Sequence, residues 1–279
     1  MLAALVGVVF AYASYVYLTI PDVRPLRTER PQSTAFMELR TREARARGAE
    51  PKRAQRWVPY SRISPQLIRA VLVTEDAAFW QHAGVDYQQI KESMEVNLER
   101  GEFARGASTI TQQLAKNLYL SPSKNPVRKL RELMIARRLE HELPKQRILE
   151  LYLNVIEWGD GIYGADAAAR AYFGKPAARL DAAESALLAA AIANPRVMHP
   201  GNPSARLRRR QQMVLRRMGA VEPPPVLADK PEAGDEEGIP PVPQVPSPGL
   251  PSRLPGQVVP LPGPAKPGGG GAPHQGGSH

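Results

Sequence analysis

Two glutamates in this sequence fall on helix faces that are otherwise apolar. Ser64 followed by Pro65 predicts a helix start, because serine caps the first turn and proline tolerates the first helical position. A period of 3.6 residues then aligns one stripe on this helix, which we predict to extend to about Trp80: Ile68, Val71, Leu72, Glu75 and Phe79. An unpaired ionised carboxylate there is costly, so Glu75 is expected to be paired, protonated or at the wall of a cleft.

Glu132 repeats this pattern on a second predicted helix. Arg128 precedes it by one turn, and apolar residues follow it on the same face: Ile135, Ala136 and Leu139. The simplest interpretation is structural, with Glu75 at the wet edge of its helix and Glu132 in an i,i+4 pair with Arg128. The alternative is catalytic, because two carboxylates around one cleft suit chemistry at the anomeric carbon of a sugar.

A polar helix start and a basic turn lie between the two glutamates. The segment Gly106–Leu120 carries hydroxyl, amide and ammonium groups near a predicted helix start: Ser108, Thr109, Thr111, Gln112, Gln113, Lys116 and Asn117. The next segment adds three cations: Lys124, Arg128 and Lys129. A Thr109–Gln112 capping box and a solvated basic turn would explain them structurally. Together they could also bind a diphosphate, because a helix N-terminus with cations nearby attracts anions.

The remaining signals exclude several classes of function. His82 and Asp86 have a spacing that a metal ion could use, but two residues make an incomplete site, and a turn-stabilising hydrogen bond is the simpler interpretation. The sequence has no cysteine, Walker loop, dinucleotide fingerprint or zincin helix. Its net charge of +10 suits an anionic partner, and the scarcity of interleaved aromatic residues argues against nucleic acid.

The N-terminal part of the sequence predicts a membrane anchor and a connector. Residues 1–21 carry no charge, and a run of about 20 apolar residues can cross a bilayer. A cleaved signal peptide is the alternative, since Ala11-Tyr12-Ala13 resembles a cleavage site, but no basic residue precedes the apolar run. Residues 22–56 are arginine-rich and predict a basic juxtamembrane connector that could touch headgroups, with a short helix near Thr34–Arg47.

The rest of the sequence predicts one mainly α-helical domain and a tail. Residues 57–219 carry helical patterns, with one weak strand candidate at Arg56–Tyr60. After the helix that begins at Pro65, the predicted helices are Tyr87–Arg100, Thr111–Tyr119, Pro126–Glu142, Lys145–Trp158, Gly164–Phe173, Ala182–Ala193 and Pro203–Met218. Residues 220–279 hold 16 of the 29 prolines and 11 of the 22 glycines, a composition typical of disorder.

Five long motifs follow one another along the sequence: EDAAFWQHAGVD, GASTITQQLAKN, RKLRELMIARRLE, ILELYLNVIEWGDGIYGADAAARAYFGK and LDAAESALLAAAIANP. In this order and near these spacings they resemble glycosyltransferase family 51, the peptidoglycan glycosyltransferases. The resemblance covers roughly residues 57–218, and the single domain without a penicillin-binding module resembles the monofunctional branch.

The resemblance implies a lysozyme-like domain with a small membrane-proximal jaw. It implies that Glu75 is the general base and Glu132 the second essential carboxylate, with Asp76 in the same motif as the base. It places Ser108, Gln113 and Lys116 in the donor site, and Lys124, Arg128 and Lys129 around the pyrophosphate. Lys124 stands where many relatives carry arginine, and this change loses bidentate geometry. Tyr152 and Asn154 match a motif that is more often structural.

The resemblance also implies the reaction, the location and the partners. Lipid II would be polymerised into β-1,4-linked glycan strands with inversion at C1, on the outer face of the bacterial inner membrane. No cofactor is strictly implied, although Mg²⁺ or Mn²⁺ could bind the diphosphate, and proteins of cell-wall synthesis or division could be partners. The alternatives are a lysozyme-like or lytic enzyme that cleaves glycan and a non-catalytic membrane scaffold. Neither explains both glutamates together with the basic cluster.

Overall fold

α-Helices form most of this computed structural model, which describes residues 1–100, 108–121 and 125–219. The helices are α1 Leu2–Leu18, α2 Ala35–Ala46, α3 Pro65–Glu75, α4 Tyr87–Arg100, α5 Ile110–Tyr119, α6 Pro126–Glu142, α7 Lys145–Val155, α8 Ala165–Phe173, α9 Ala182–Ala191 and α10 Ala205–Gly219. The predicted mainly helical class is therefore confirmed. The predicted tail, residues 220–279, and Lys124 lie outside the described residues.

Local capping explains where several helices begin. The side chains of Thr34, Ser64, Thr109 and Asn125 each accept a hydrogen bond from a backbone N–H in the first turn of the helix that follows. Asp181 forms a full capping box with Glu184 at the start of α9. These contacts satisfy N–H groups that have no partner inside the helix. The boundaries predicted for α6 agree with the structure because Asn125-Pro126 is a strong start signal.

The core forms around two groups of packed helices. In one group α3 packs against α9 and α10, and in the other α5 packs against α6 and α7. The alanine-rich end of α9, Ala189–Ala191, is almost fully buried, so neighbouring backbones can approach it closely. These two groups hold the C-terminal end of α3 near the middle of α5 and the start of α6, where the predicted site residues lie.

A small sheet completes the domain and corrects the predicted strand. β1 is Ala54–Gln55, β2 is Glu157–Gly159 and β3 is Ile162–Tyr163, in the order β1-β3-β2 with a parallel β1–β3 pair. The strand predicted at Arg56–Tyr60 is therefore wrong, and β2 replaces the predicted last turn of α7. Strands of two or three residues are too short to show the alternation that identifies a strand in sequence.

The segment predicted as a connector packs into the domain. Val23, Leu26 and Met37 are buried in the core. Arg27 donates to the Glu142 backbone carbonyl at 3.0 Å, and Arg147 donates to the Leu26 carbonyl at 2.9 Å. Hydrogen bonds to the backbone of residues 22–29 therefore hold this segment against α6 and α7, and Arg27 is occupied within the protein.

The N-terminal helix α1 ends against α6. Arg131 of α6 donates to the Thr19 backbone carbonyl at 3.0 Å, and Val16 is 4% exposed. Among the described residues, no helix combines the length and the apolar character needed to cross a membrane.

Candidate active site

Glu75 is the last residue of α3, so its side chain leaves the helix at the end of the buried stripe. The predicted continuation of this helix to Trp80 is wrong, because Asp76 has an extended φ of −163° and ends it. Gln113 of α5 donates its amide Nε2–H to Glu75 Oε2 at 2.9 Å. The carboxylate is thus partly buried and hydrogen-bonded to a neutral amide.

Several groups act in opposite directions on the acidity of Glu75. Burial raises its pKa above the ordinary value, and the nearby charge of Asp76 raises it further. The hydrogen bond from Gln113 and the positive charges of Arg210 and Lys116 lower the pKa. Burial dominates, and the net result is a raised pKa. A carboxylate with a raised pKa is a stronger base than an exposed glutamate.

Asp76 belongs to a buried hydrogen-bond node next to Glu75. Its Oδ2 accepts the Ile110 backbone N–H at 3.0 Å, and its Oδ1 lies 2.9 Å from His82 Nε2. His82 Nδ1 accepts the Gly84 backbone N–H at 3.1 Å, so both ring nitrogens are used. Asp76 therefore joins the end of α3 to the start of α5, and its side chain is buried.

The same node accounts for the histidine and aspartate that could have suggested a metal site. Ligand atoms of Asp76, His82 and Asp86 lie within 4.8 Å of one another. Asp86, however, accepts the Gln89 backbone N–H at 2.8 Å, and His82 has no nitrogen left for a cation. The hydrogen-bonding interpretation fits these three residues better than a metal site does.

Glu132 lies near the start of α6 and is 3% exposed. Arg128 Nη1 donates to Glu132 Oε2, and Lys129 Nζ donates to Glu132 Oε1, so each carboxylate oxygen has a cationic partner. Lys129 Nζ also lies 3.1 Å from Ser108 Oγ and 3.2 Å from Gln112 Oε1. Lys129 therefore connects the start of α5 to α6 through three side chains.

Lys116 lies in the electrostatic field of both glutamates. Burial lowers the pKa of its ammonium group, and the charges of Arg128 and Lys129 lower it further. The charges of Glu132 and Glu75 raise it. Lys116 lies on α5 one turn after Gln112 and Gln113. Gln113 contacts Glu75 directly, and Gln112 is linked to Glu132 through Lys129. The two acids therefore share one cationic neighbourhood.

Comparison with known proteins places the chain in a family. A family model described as Transglycosylase matches residues 42–219. The chain belongs to the transglycosylase family. Three similar curated proteins are each named biosynthetic peptidoglycan transglycosylase. The one from Laribacter hongkongensis is 46% identical over 70% of this chain and 85% of its own length.

The other two relatives extend the same similarity. The protein from Nitrosomonas eutropha is 47% identical over 71% of this chain and 81% of its own length. The protein from Chromobacterium violaceum is 42% identical over 80% of this chain and 97% of its own length. The transglycosylase match includes every described site residue, and it begins inside the segment predicted as a connector.

The structure brings two further residues, which sequence reasoning did not assign to the candidate site, into the surroundings of Glu75 and Gln113. Tyr152, buried on α7, donates its hydroxyl to Gln113 Oε1 at 3.0 Å. Arg210, on α10, acts on Glu75 through its charge and donates to the Ala190 carbonyl at 3.1 Å. The sequence holds a signal for Arg210, because it falls on one helical face with Leu207 and Val214, both buried. No comparable signal distinguishes the Tyr152 hydroxyl.

Proposed function

We propose that this chain is a peptidoglycan glycosyltransferase that polymerises lipid II into β-1,4-linked glycan strands. One observation carries the proposal. Glu75 is a partly buried carboxylate without a cationic hydrogen-bond partner in its described contacts. The charge of Lys116 acts both on Glu75 and on the cluster of cations around Glu132. A base beside a cationic cluster suits displacement of a diphosphate by a hydroxyl group. The relatives named above support the same assignment.

The first part of the reaction is proton removal by Glu75. Its carboxylate takes the proton from the 4-hydroxyl of the acceptor sugar while that oxygen forms a bond to C1 of the donor sugar. The bond between C1 and the diphosphate oxygen breaks on the opposite face, so the configuration at C1 inverts. Burial of Glu75 serves this step, because its raised pKa increases its strength as a base.

The second part is stabilisation of the leaving diphosphate, which keeps the electron pair of the broken bond. We assign this task to the cations Lys116, Arg128 and Lys129, together with Lys124. Fixed positive charges near a developing anion lower the barrier without reorganisation. Ser108 and Gln113 lie at the same helix start and would bind the donor, whereas the buried Asp76 would act by holding that helix start in place.

Glu132 is proposed to hold the cations rather than a metal ion. Its two oxygens already accept from Arg128 and Lys129, so a divalent cation would compete with these two side chains for the carboxylate. Removing its negative charge would let the two cations separate. The residues described around Glu132 therefore fit direct neutralisation of the diphosphate by side chains.

The location at a membrane is also a proposal. Lipid II carries a polyprenyl tail, so polymerisation takes place at a bilayer surface. The uncharged residues 1–21 support a single-pass anchor in the bacterial inner membrane, with the lysozyme-like domain on its outer face. The exposed side chains of Tyr87, Met94 and Leu98 on α4 support a membrane-facing jaw. Proteins of cell-wall synthesis or division would bind this chain at the same membrane surface.

A polymerisation assay tests the proposed function. Full-length protein in detergent is incubated with lipid II, with and without a chelator of divalent cations, and the products are sized on a gel. Glycan polymers in both samples are expected. In a parallel reaction, muropeptides released from finished peptidoglycan without consumption of lipid II would identify a lytic enzyme instead. No change in either substrate would favour a non-catalytic scaffold.

A further inference from the structure

The contact between Tyr152 and Gln113 bears on the orientation of a side chain in the site. Tyr152 is fully buried, and its hydroxyl lies 3.0 Å from Gln113 Oε1. On the other side of the same carboxamide, Gln113 Nε2 lies 2.9 Å from Glu75 Oε2. Three side chains from three helices therefore form one chain of hydrogen bonds that ends at the proposed base.

The chemistry of these groups allows two arrangements of the chain. An ionised carboxylate only accepts hydrogen bonds, so it needs the amide NH₂ of Gln113. The amide oxygen must then face Tyr152, whose hydroxyl donates to it. In the flipped arrangement, the amide oxygen would face Glu75, which would have to carry a proton, and the tyrosine oxygen would accept from the NH₂. The orientation of the amide and the protonation of Glu75 are thus linked.

We propose that Tyr152 is a positioning residue, whose hydroxyl holds the Gln113 carboxamide with its NH₂ group toward Glu75 and so favours the ionised base. This inference rests on the proposed function, in which Glu75 is the base. Tyr152 acts through Gln113 and does not touch the reacting atoms.

Three other charged groups act on Glu75, and none of them depends on the tyrosine hydroxyl for its charge. Lys116 faces Glu75 from α5, Arg210 from α10, and Asp76 follows it at the end of α3. Replacing Tyr152 by phenylalanine alters none of these charges and keeps the buried ring. The effect of this change on Glu75 therefore reports the orientation of Gln113. Losing a hydrogen bond to the ionised form raises the pKa of a carboxyl group.

The test is the pH dependence of lipid II polymerisation by the full-length protein. For Tyr152→Phe, we expect the acidic limb of kcat/KM to move to higher pH by about 0.5 to 1 unit, the size of one hydrogen bond. The rate on the plateau at higher pH should stay within about twofold of wild type. Tyr163→Phe is the matched control, since Tyr163 is also buried but lies on β3, and its acidic limb should not move.

A double-mutant cycle isolates the contact. Gln113→Met removes the donor to Glu75 directly and should move the limb at least as far as Tyr152→Phe does. In a Gln113→Met background, the tyrosine change should cause no further shift. If Tyr152→Phe does not fold, an unmoved limb in Gln113→Met alone still overturns the proposal, because the amide would then not favour the ionised base. Titration of the Glu75 carboxyl carbon by ¹³C NMR, assigned with Glu75→Gln, gives the same pKa without activity.

Three results would overturn the proposal. The limb could stay in place in Tyr152→Phe, the rate could fall equally at every pH, or the double variant could show a full second shift. An active Glu75→Gln enzyme would instead overturn the proposed function, because the base would then lie elsewhere. The two failures are distinguishable, since the NMR titration reports on Tyr152 and Gln113 even when Glu75 is not the base.

Discussion

The surroundings of Glu75 and Glu132 differ although both residues show the same pattern in sequence. Glu75 lies at the end of α3, and its described side-chain hydrogen bond comes from the neutral amide of Gln113. Glu132 lies within α6, and both of its oxygens are paired with the cations Arg128 and Lys129. The cationic groups that act on Glu75, Lys116 and Arg210, do so through their charge.

This difference separates two uses of a buried carboxylate. Burial without a direct ion pair raises the pKa of Glu75 and makes it a stronger base. A buried carboxylate held by two cations instead fixes the position of those cations, and removing it leaves like charges close together. An acid on an apolar helix stripe is therefore predicted to be buried. Its hydrogen-bond partners then determine whether it acts as a base or holds neighbouring cations in place.

The largest effect is expected from Glu75→Gln. The substitution keeps the size of the side chain but removes the base, and general-base catalysis contributes about 10²- to 10⁴-fold. We expect turnover of lipid II to fall by at least about 100-fold with thermal unfolding little changed. Glu157→Gln is the matched control, because burial also raises the pKa of Glu157, on β2 outside the site. More than about a tenth of wild-type activity in Glu75→Gln would place the base elsewhere.

A smaller loss of activity together with a loss of stability is expected from Glu132→Gln. Arg128 and Lys129 would lose their shared partner, so turnover should fall about tenfold and the free energy of unfolding by about 1–3 kcal/mol. Both are measured on one preparation, by polymerisation and by urea unfolding. Asp166→Asn is the control, since Asp166 is a buried acid that contacts Arg56 and Arg170 outside the site.

That control separates the role of Glu132 in the site from its role in folding. Asp166→Asn should lower stability to a similar extent while turnover per folded molecule stays near wild type. Equal losses of turnover in the two variants would mean that Glu132 acts only through the fold.

The pH dependence of stability should report the burial of Glu75. Because its pKa is raised in the folded state, Glu75 binds a proton more tightly there than in the unfolded chain. Its contribution to stability is therefore present below the ordinary pKa of 4.5 and is lost as the pH rises through the raised folded value. Glu75→Gln should consequently be more favourable for stability at pH 8 than at pH 4, measured by urea unfolding. The opposite order would mean that Glu75 is stabilised in its ionised form.

The smallest effect is expected from deleting residues 220–279. The described contacts of both glutamates come from residues before this segment, and its Pro- and Gly-rich composition predicts no packed core. Turnover in detergent should stay within about twofold of wild type in a polymerisation assay. A large loss would assign the segment a part in the activity.

Much of the fold was predictable because its signals are local. The start of α6 follows from Asn125-Pro126, its end from Pro144 just before α7, and the cap at Thr109 from its hydroxyl. The stripes with Glu75 and Glu132 appear in the period of the apolar residues. These signals depend on neighbours within about one or two helical turns, which the sequence displays directly.

Other features depend on distant residues. The end of α3 is set where Asp76 bonds to Ile110, 34 positions later, and Asn154 accepts the Val58 N–H at 2.9 Å across 96 positions. The connector was predicted to be separate because its arginines suggest a surface, whereas Val23 and Leu26 are buried against helices formed much later in the chain. Such contacts leave no periodic trace in the sequence.

By itself the sequence determined the helical class, the two carboxylates on apolar stripes and the basic residues between them, because side-chain type and helical period are local properties. Only the tertiary structure decided that Glu75 meets a neutral amide while Glu132 meets two cations. It also decided that the Tyr152 hydroxyl donates to that amide and that the charge of Arg210 lowers the pKa of Glu75. The reason is physical: the field and hydrogen bonds at a buried carboxylate come from groups brought together by packing, whatever their separation along the chain.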